Sequence, residues 1–440
     1  MNRRTFLATS AALAAGPKFL SADAASADAA SEQAAILARI KAPSFANRDF
    51  EITRYGAAGD GEKDCTDAIR KAIAACTAAG GGRVVVPSGV FLTGAVHLDN
   101  NVNLHVAEGA TLRFSRDPQH YMPVVYTRWE GTECMSFSPF IYAFGKTNIG
   151  LSGTGNLDGQ ADAEHWWQWK SGPGGQANDR NALMAAGDKN VPVKDRIFGA
   201  GHQLRPYFVQ PYQCTNVLIE GVKIVNSPMW ELNPVLCKNV TVRNVTIDTH
   251  GPNNDGCDPE CCTDMLVEKC SFSTGDDCIA IKSGRNVDGR RVNVPTANLI
   301  IRDCDMKDGH GGVSIGSEAS GGVRNVFVEN CRMSSPNLQR ALRIKTNSYR
   351  GGAIENIYFQ NVTVGQVAES VIEIDFFYEE GEGGPFKPVV NNVVISDVTS
   401  KKSKYGLYLH GYKDDPIRGL TVTNCHFENT VKGDFKENVL

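Results

Sequence analysis

The sequence lacks the features that would assign it to several large classes of protein. Its formal net charge is only −4, so there is no overall basic field and no nucleic acid partner is predicted. After the N-terminal segment, no apolar run is long enough to span a bilayer, so the mature chain is not expected to insert into a membrane. Because the chain as a whole is slightly acidic, the positive groups that bind an anionic substrate would have to be gathered at one site. Aromatic residues make up only 8% of the 440 residues.

The thirteen cysteines also lack the pattern of a metal site. Even the dense segment from Cys257 to Cys278 has no paired C-x-x-C units with partnering histidines. The number is odd, so at least one thiol is expected to stay free. We predict that most of these cysteines are small buried apolar residues, while the sequence leaves one or two disulfides open. No metal ion or other cofactor is expected.

The first 35 residues are typical of an export segment. The paired Arg3 and Arg4 precede an apolar run to Ala15, and small residues such as Ala22 and Ala24 follow. The arginine pair resembles a twin-arginine signal. Residues 1–35 are therefore predicted to be a signal peptide and a disordered linker, and the mature protein is expected to be periplasmic or secreted. The alternative is a cytoplasmic protein with an alanine-rich start.

A short motif recurs along the chain, with Asn, Asp or Gly followed by a brief alternating apolar run. These units begin at Asn216, Asn239, Asp264, Asn298, Asn325, Asn356, Asn392 and Gly419. No unit has room for a long helix, and none can bury its own apolar face, so stacked coils are indicated. The β-branched runs predict an all-β fold, a right-handed parallel β-helix forming a single domain over residues 44–432. A β-sandwich is the alternative, but it does not explain the recurrence.

Two segments depart from the repeat. Residues 66–77 carry apolar residues at helical spacing and precede three glycines, so we predict a helix that caps the N-terminal end of the solenoid. Residues 158–204 contain Trp166, Trp167 and Trp169 and no strand-like run. A loop insertion of this length is expected to be a wall or lid of a functional site.

Ionisable residues recur at a similar position in four consecutive units. They are Asp255, the pair Asp276 and Asp277, His310, and the pair Arg343 and Lys345. Because neighbouring strands lie about 4.8 Å apart, these side chains should form a column on one face. Crowded carboxylates raise the pKa of one member, which leaves a proton donor beside ionised bases. Inverting glycoside hydrolysis needs this pair at a separation of roughly 6.5–9.5 Å.

Four motifs in fixed order resemble those of the polygalacturonase family, glycoside hydrolase family 28. They are NNDG at 253–256, GDDC at 275–278, GHG at 309–311 and RIK at 343–345. The resemblance extends from about residue 48 to 430 and is greatest to the bacterial exo-acting branch. Asn254 departs from the pattern, because the family usually has Thr there. That position is neither acid nor base, so a difference would concern substrate preference.

The resemblance implies an inverting hydrolase of α-1,4-galacturonosyl linkages that needs no metal. Asp276 would be the general acid and Asp255 and Asp277 the bases that activate water. His310 would support the protonation of the acid. The expected substrate is a pectic polysaccharide or oligogalacturonide, and an acidic pH optimum is expected because one carboxyl must keep its proton.

The same resemblance implies how the substrate is held. Arg343 and Lys345 would bind a galacturonate carboxylate, and Asn253 and Tyr378 are further candidate substrate-binding residues. The insertion at 158–204 would admit only chain ends, which predicts exo action. Its tryptophans would either stack on sugar rings or pack within the loop.

Other functions remain open on the sequence alone. One is a pectate lyase-like eliminase with Ca²⁺ at the aspartates and Arg343 as base. Others are hydrolysis of rhamnogalacturonan or xylogalacturonan, and a non-catalytic polysaccharide-binding β-helix. The sequence gives no indication of the oligomeric state.

Overall fold

The computed structural model describes residues 22–172 and 175–440. Its strands stack coil upon coil with parallel pairing between successive coils, which confirms the predicted parallel β-helix. Three long faces run along the stack. The predicted signal sequence up to residue 21 lies outside the described residues and stays a prediction.

The first face is a sheet of twelve parallel strands. They are Asp49–Glu51, Gly82–Val86, Val102–Val106, Thr147–Gly153, Thr215–Glu220, Lys238–Arg243, Thr263–Glu268, Thr296–Arg302, Val323–Glu329, Ala353–Gln360, Val389–Ser396 and Leu420–Thr423. The second face also has twelve. They are Asp60–Asp64, Gly89–Thr93, Ala110–Phe114, Asn156–Asp158, Lys223–Val225, Thr246–Thr249, Ser271–Thr274, Asp305–Met306, Arg332–Met333, Thr363–Gln366, Thr399–Lys402 and His426–Phe427.

The third face consists of a three-stranded and a six-stranded parallel sheet. The strands are Val96–His97, Ile141–Phe144 and Val209–Tyr212, then Ile279–Ile281, Val313–Gly316, Arg340–Lys345, Ser370–Asp375, Tyr405–His410 and Phe435–Glu437. Single β-bridges through residues 232–235 and 257–260 join the two sheets. Along this face one column of apolar residues points into the core, while the alternate residues face outward.

Helices are few and lie outside the stack. The α-helices are α1 Ala22–Arg39, α2 Thr66–Ala78, α3 Gln176–Asp188 and α4 Asn286–Val292, and the 3₁₀ turns are Ile52–Tyr55, Pro118–Tyr121, Trp167–Lys170 and Val193–Asp195. Helix α2 buries Ile69, Ile73 and Cys76 against the first coils, so the predicted N-terminal cap is confirmed. Two short strands, Asp49–Glu51 and Asp60–Asp64, precede this helix and were not predicted. None of the helices in the described part of the chain has the length and hydrophobicity that crossing a membrane requires.

The residues from 22 to 35 are helical, which differs from the predicted disordered linker. The end of α1 lies on the outside of the first face, where Ile36 packs with Leu266, Ile300 and Phe327. These outward apolar residues break the usual polar pattern of a solenoid exterior, and covering them stabilises the helix. This contact was not predicted, because the segment is rich in alanine and has only a weak apolar stripe.

The recurring Asn, Asp or Gly marks a left-handed backbone position at or near the start of the eight first-face strands from Thr215–Glu220 to Leu420–Thr423. The value of φ is +58° at Asn216, +57° at Asn325 and +64° at Gly419. L residues other than Asn, Asp and Gly avoid this conformation, which explains the restricted choice. The asparagines also pair between coils, with Asn325 Nδ2 donating to Asn298 Oδ1 at 3.0 Å. Asn325 Oδ1 in turn accepts a bond from Asn356 Nδ2 at 3.0 Å.

The insertion at 158–204 is more ordered than predicted. It contains α3, two 3₁₀ turns and the strand Ile197–Phe198, which joins Val125–Trp129 and Thr132–Ser136 in a small sheet. Trp166 is buried against Tyr121 and Phe140. The three tryptophans therefore pack into the fold, which favours the packing alternative.

All thirteen cysteines carry free thiols, and twelve of them are buried. Cys214, Cys237 and Cys262 occupy equivalent positions in successive coils, and each thiol lies close to a backbone carbonyl. Their predicted role as small buried apolar residues is confirmed by this placement.

The asparagine column makes a stability prediction. Asn325→Gly keeps the left-handed backbone but removes two hydrogen bonds, which should cost about 2 kcal/mol. Asn325→Ala adds left-handed strain of about 1–2 kcal/mol, so its free energy of unfolding should be lower still. Urea unfolding of the wild type and the two variants measures these free energies, which should decrease from the wild type to the glycine variant to the alanine variant. Equal stability of the glycine and alanine variants would contradict the backbone argument.

Candidate active site

Backbone pairing between coils brings the predicted ionisable residues together. Asp276 N donates to Asn254 O at 3.2 Å, and His310 N donates to Asp276 O at 3.0 Å. In the next coil, the strand containing Arg343 pairs with Val313–Gly316, opposite Ser314. The residues therefore lie on consecutive coils, in the order expected from the repeat.

The three aspartates form a compact cluster. One carboxylate oxygen of each of Asp255, Asp276 and Asp277 lies within 4.8 Å of the other two. This limit refers to the nearest oxygens, so the predicted separation of 6.5–9.5 Å between the acid and base carboxyl groups stays a prediction. Such close carboxylates cannot all be charged without a positive partner or a retained proton.

Asp277 is the member with positive partners. It is fully buried, its Oδ2 accepts a bond from Lys345 Nζ at 2.6 Å, and its Oδ1 lies 3.8 Å from Arg343 Nη1. Burial raises the pKa of Asp277, but Lys345 and Arg343 outweigh burial and hold this pKa well below its usual range. Asp277 is therefore ionised at every pH at which the protein would work.

Asp255 is the member without such a partner. It is 3% exposed, and its Oδ1 makes no hydrogen bond to any described residue. Burial, together with the nearby Asp258 and Asp276 carboxylates, raises the pKa of Asp255 well above its usual value. Among the three clustered aspartates, Asp255 is thus the one whose surroundings favour the protonated form.

Asp276 lies between the other two aspartates and His310. Its Oδ1 is 2.9 Å from His310 Nδ1 and accepts a bond from Asp277 N at 2.9 Å. Its Oδ2 has no such donor among the described residues, and Asp276 lines the cavity. The hydrogen bond to Asp276 raises the pKa of His310, although partial burial opposes this change.

The predicted substrate-binding residues do not all reach the same surface. Lys345, Tyr378 and Asn253 line the cavity, whereas Arg343 lies behind them with its Nε 3.2 Å from Glu373 Oε1. The Tyr378 ring is 5.3 Å from both Lys345 Nζ and the Arg343 guanidinium. Positive charge is therefore concentrated beside Asp277, with an aromatic face next to it.

A buried arginine that the sequence did not point to holds the NNDG loop. Arg205 Nη2 donates to Asn253 Oδ1 at 2.7 Å, and its Nε donates to Gln176 Oε1 at 2.7 Å. Complete burial lowers the pKa of Arg205 to about 10, although Glu130 opposes this shift. Its only sequence signal was a single charge next to a proline, which is too weak to predict such a link.

Asn254, the departure from the family pattern, has a structural role. Its side chain accepts bonds from Thr249 Oγ1 and Gly251 N and donates to the carbonyls of Ser227 and Met229. It does not line the cavity, so the structure gives no support to an effect on substrate preference.

The cavity beside the aspartates has a volume of about 420 Å³. Lys170, Gln176, Ala177 and Arg180 of the insertion form part of its lining. Arg180 Nε is 2.6 Å from Glu130 Oε2, and Arg180 Nη2 is 3.4 Å from Glu379 Oε1. Glu130 lies in the turn of the antiparallel hairpin formed by Val125–Trp129 and Thr132–Ser136, and Glu379 follows the third-face strand Ser370–Asp375. Arg180 thus connects the insertion to two other segments that line the cavity.

A second buried charge network adjoins the aspartates. Lys282 Nζ lies 3.1 Å from Glu318 Oε2, 3.6 Å from Asp258 Oδ1 and 4.3 Å from the centre of the Trp230 ring. Although burial opposes it, these carboxylates raise the pKa of Lys282 well above its usual value. Lys282 follows the GDDC motif and could have been found from its outward position on the strand after Asp277.

The cluster fits a divalent cation poorly, although three carboxylates alone would suit Ca²⁺. Lys345 already occupies one Asp277 oxygen, and the environment of Asp255 favours its protonated form. A cation here would have to displace a buried ammonium group and a proton. The donor set is therefore better suited to proton transfer.

The site combines a parallel β-helix with a cavity in which clustered carboxylates lie beside cations, an arrangement suited to acid–base chemistry. The chain belongs to glycosyl hydrolases family 28, because the sequence profile of that family matches residues 76–439. It is therefore a glycoside hydrolase.

Three similar proteins place the chain more closely. A hyperthermoactive exopolygalacturonase from Thermotoga maritima is 44% identical, with 91% of this chain and 92% of that chain covered and a TM-score of 0.89. The polygalacturonase from Erwinia carotovora ssp. carotovora is 26% identical, with coverages of 91% and 97% and a TM-score of 0.69. The exo-poly-alpha-D-galacturonosidase of Dickeya chrysanthemi is 28% identical over 417 residues, or 89% of this chain and 65% of that protein.

The protonation of Asp255 makes a prediction about stability. Its raised pKa means that the folded protein keeps a proton that the unfolded chain loses near pH 4, so stability falls as pH rises above about 4. Asp255→Asn removes this penalty and should stabilise the protein by roughly 1–3 kcal/mol at neutral pH. The gain in melting temperature should be much smaller near pH 4. An equal gain at both pH values would show that Asp255 is ionised in the native state.

Proposed function

We propose that this protein is an exo-acting polygalacturonase that hydrolyses α-1,4-galacturonosyl linkages from chain ends with inversion. The observation that carries exo action is that the insertion lines the cavity and that its Arg180 pairs with Glu130 and Glu379, which would obstruct the groove that an open solenoid face offers. The similarity to the Thermotoga exopolygalacturonase supports the same activity.

In this proposal Asp276 protonates the glycosidic oxygen. Its Oδ1 is occupied by two neighbours, so a proton on this carboxyl group would sit on Oδ2 and would be offered to a substrate in the cavity that Asp276 lines. His310 beside Oδ1 would keep the carboxyl group in this orientation. General acid catalysis of this kind contributes about 10²–10⁴ to the rate.

Asp255 and Asp277 would activate the attacking water. Both Oδ1 atoms are buried and lack hydrogen-bond donors among the described residues, so both are available as acceptors for a water molecule. The low pKa of Asp277 keeps it ionised. Asp255 becomes the stronger base once its proton has left, because burial disfavours its charged form.

A proton must therefore move between the aspartates before the glycosidic bond is cleaved. In the free protein the surroundings of Asp255 favour its protonated form, whereas bond cleavage requires a proton on Asp276 and an ionised Asp255. The carboxylate oxygens lie within 4.8 Å, so one bridging water could carry the proton between them. A glycosidic oxygen next to Asp276 Oδ2 would favour this transfer by accepting the hydrogen bond.

Recognition of the sugar on the far side of the bond would fall to Lys345, Arg343 and Tyr378. Lys345 and Tyr378 reach the cavity directly, and Arg343 adds positive charge from behind. Both cations balance Asp277 and Glu373 in the free protein, so a substrate carboxylate would have to share them. Asn253 would contact the substrate from the opposite edge of the aspartates.

We also infer a periplasmic or secreted location. The arginine pair, the short apolar run and the small residues near the N-terminus support this proposal, and the expected polymeric substrate is extracellular. Separation of cell fractions with an antibody against the mature protein would test it.

Early products of polygalacturonate digestion test the proposed function. With chelator present, mass analysis should find only saturated mono- or digalacturonate, and the first anomer seen by NMR should be inverted. Asp276→Asn should lower kcat by about 10²–10⁴ and serves as the negative control. Mixed oligomers would overturn exo action, and unsaturated products would indicate elimination. Activity restricted to rhamnogalacturonan or xylogalacturonan would show that this polymer, and not polygalacturonate, is the substrate.

The pH profile tests the role of His310. Its pKa is raised above 6.5, so the charged imidazole persists through neutral pH and is lost as pH rises through the raised value. The alkaline limb of kcat/KM should therefore lie above pH 6.5. His310→Gln should remove this limb and lower kcat by roughly 10–100-fold. An alkaline limb that persists unchanged in the variant would assign it to another group.

A further inference from the structure

One basic group in the cavity lining stands apart from the others. The remaining basic side chains there each have a carboxylate partner, namely Arg180 with Glu130, Lys282 with Glu318, His310 with Asp276, and Lys345 with Asp277. Lys170 has no carboxylate oxygen at ion-pairing distance within residues 22–172 and 175–440. It is therefore the lining cation that can bind an anion without first losing a partner.

The backbone that carries Lys170 is held firmly in place. It ends the 3₁₀ turn Trp167–Lys170, next to the buried Trp166. Trp167 Nε1 donates to Ser227 O at 2.8 Å, and the Trp169 ring packs 5.9 Å from Phe137. The three tryptophans thus anchor the backbone of the turn. Binding of an anion by Lys170 would therefore require ordering of its side chain but no rearrangement of the backbone.

The charge around Lys170 favours an incoming carboxylate. Partial desolvation by the surrounding protein lowers the pKa of Lys170 and Glu130 opposes this effect, while the side chain as a whole stays exposed to solvent. Glu130 is itself neutralised by Arg180 at 2.6 Å. A bound carboxylate would supply the compensating charge that the surroundings of Lys170 do not provide.

We propose that Lys170 binds the carboxylate of the terminal uronate that the enzyme releases. This inference rests on the proposed exo-polygalacturonase function and deepens it. Lys345, beside Asp277, would then bind the uronate on the other side of the scissile bond. The carboxylates of both sugars that flank the bond would thus each be bound by a lysine. The chemical consequence is selection for chain ends whose terminal carboxyl group is free rather than methyl-esterified.

The test compares two trigalacturonates, one with all carboxylates free and one with a methyl ester on the non-reducing terminal residue. The wild-type protein should prefer the free acid by roughly tenfold or more in kcat/KM. Lys170→Met should lose most of this preference, chiefly by a higher KM for the free acid with a smaller change in kcat. Lys170→Arg should retain the preference because it keeps the charge.

Lys194→Met provides the matched control, since Lys194 is an exposed lysine of the same insertion that does not line the cavity. It should behave like the wild type, and equal melting temperatures would show that the fold is intact. If Lys170→Met keeps the wild-type preference, the role of Lys170 is refuted while the proposed function stands. If the wild-type protein cleaves neither trigalacturonate, the proposed function itself is refuted.

Discussion

In-register pairing between successive coils is the constraint on which the site depends. Backbone bonds such as Asp276 N to Asn254 O and His310 N to Asp276 O fix the distance between residues more than twenty positions apart. A left-handed Asn, Asp or Gly recurs near the start of the eight first-face strands from Thr215–Glu220 onward, at the same point of each coil. A shift of one residue would turn the ionisable side chains from the outer surface into the core. The chemistry of the site is thus a consequence of the repeat.

Within this frame, the aspartates are distinguished by their surroundings. Asp277 and Asp255 are both buried, yet Lys345 and Arg343 neutralise the first while the second has acidic neighbours. Removing either cation would leave an uncompensated buried charge, a much larger cost than the net gain that such a pair usually provides. The buried pair is therefore better understood as a device that fixes which carboxyl group is ionised. Glu231, also buried beside Asp258, has a raised pKa and adds to the proton-holding character of this region.

Sequence reasoning was accurate where a pattern repeats and failed where none does. The coil starts, the capping helix and the order of Asp255, Asp276, His310 and Lys345 all follow from periodic spacing. Helix α1 and Arg205 carried no periodic signal, because their partners lie in coils distant in sequence. The carboxylate separation was also beyond reach, since strand spacing fixes the positions of Cα atoms and leaves the convergence of the side chains undetermined.

The insertion adds a wall to the cavity that the stacked coils alone could not provide. Stacked coils generate long faces that are open at both ends, so a solenoid alone offers a groove to a polymer. A segment that closes this groove must leave the repeat, and outside the repeat it loses the pairing that orders the coils. The insertion is held instead by the buried Trp166 and the partly buried Trp167 and Trp169 at its start, and by the Arg205 link between Gln176 and Asn253. This link joins the wall directly to the loop that holds Asp255, so the enclosing segment and the catalytic loop are positioned by the same buried side chain.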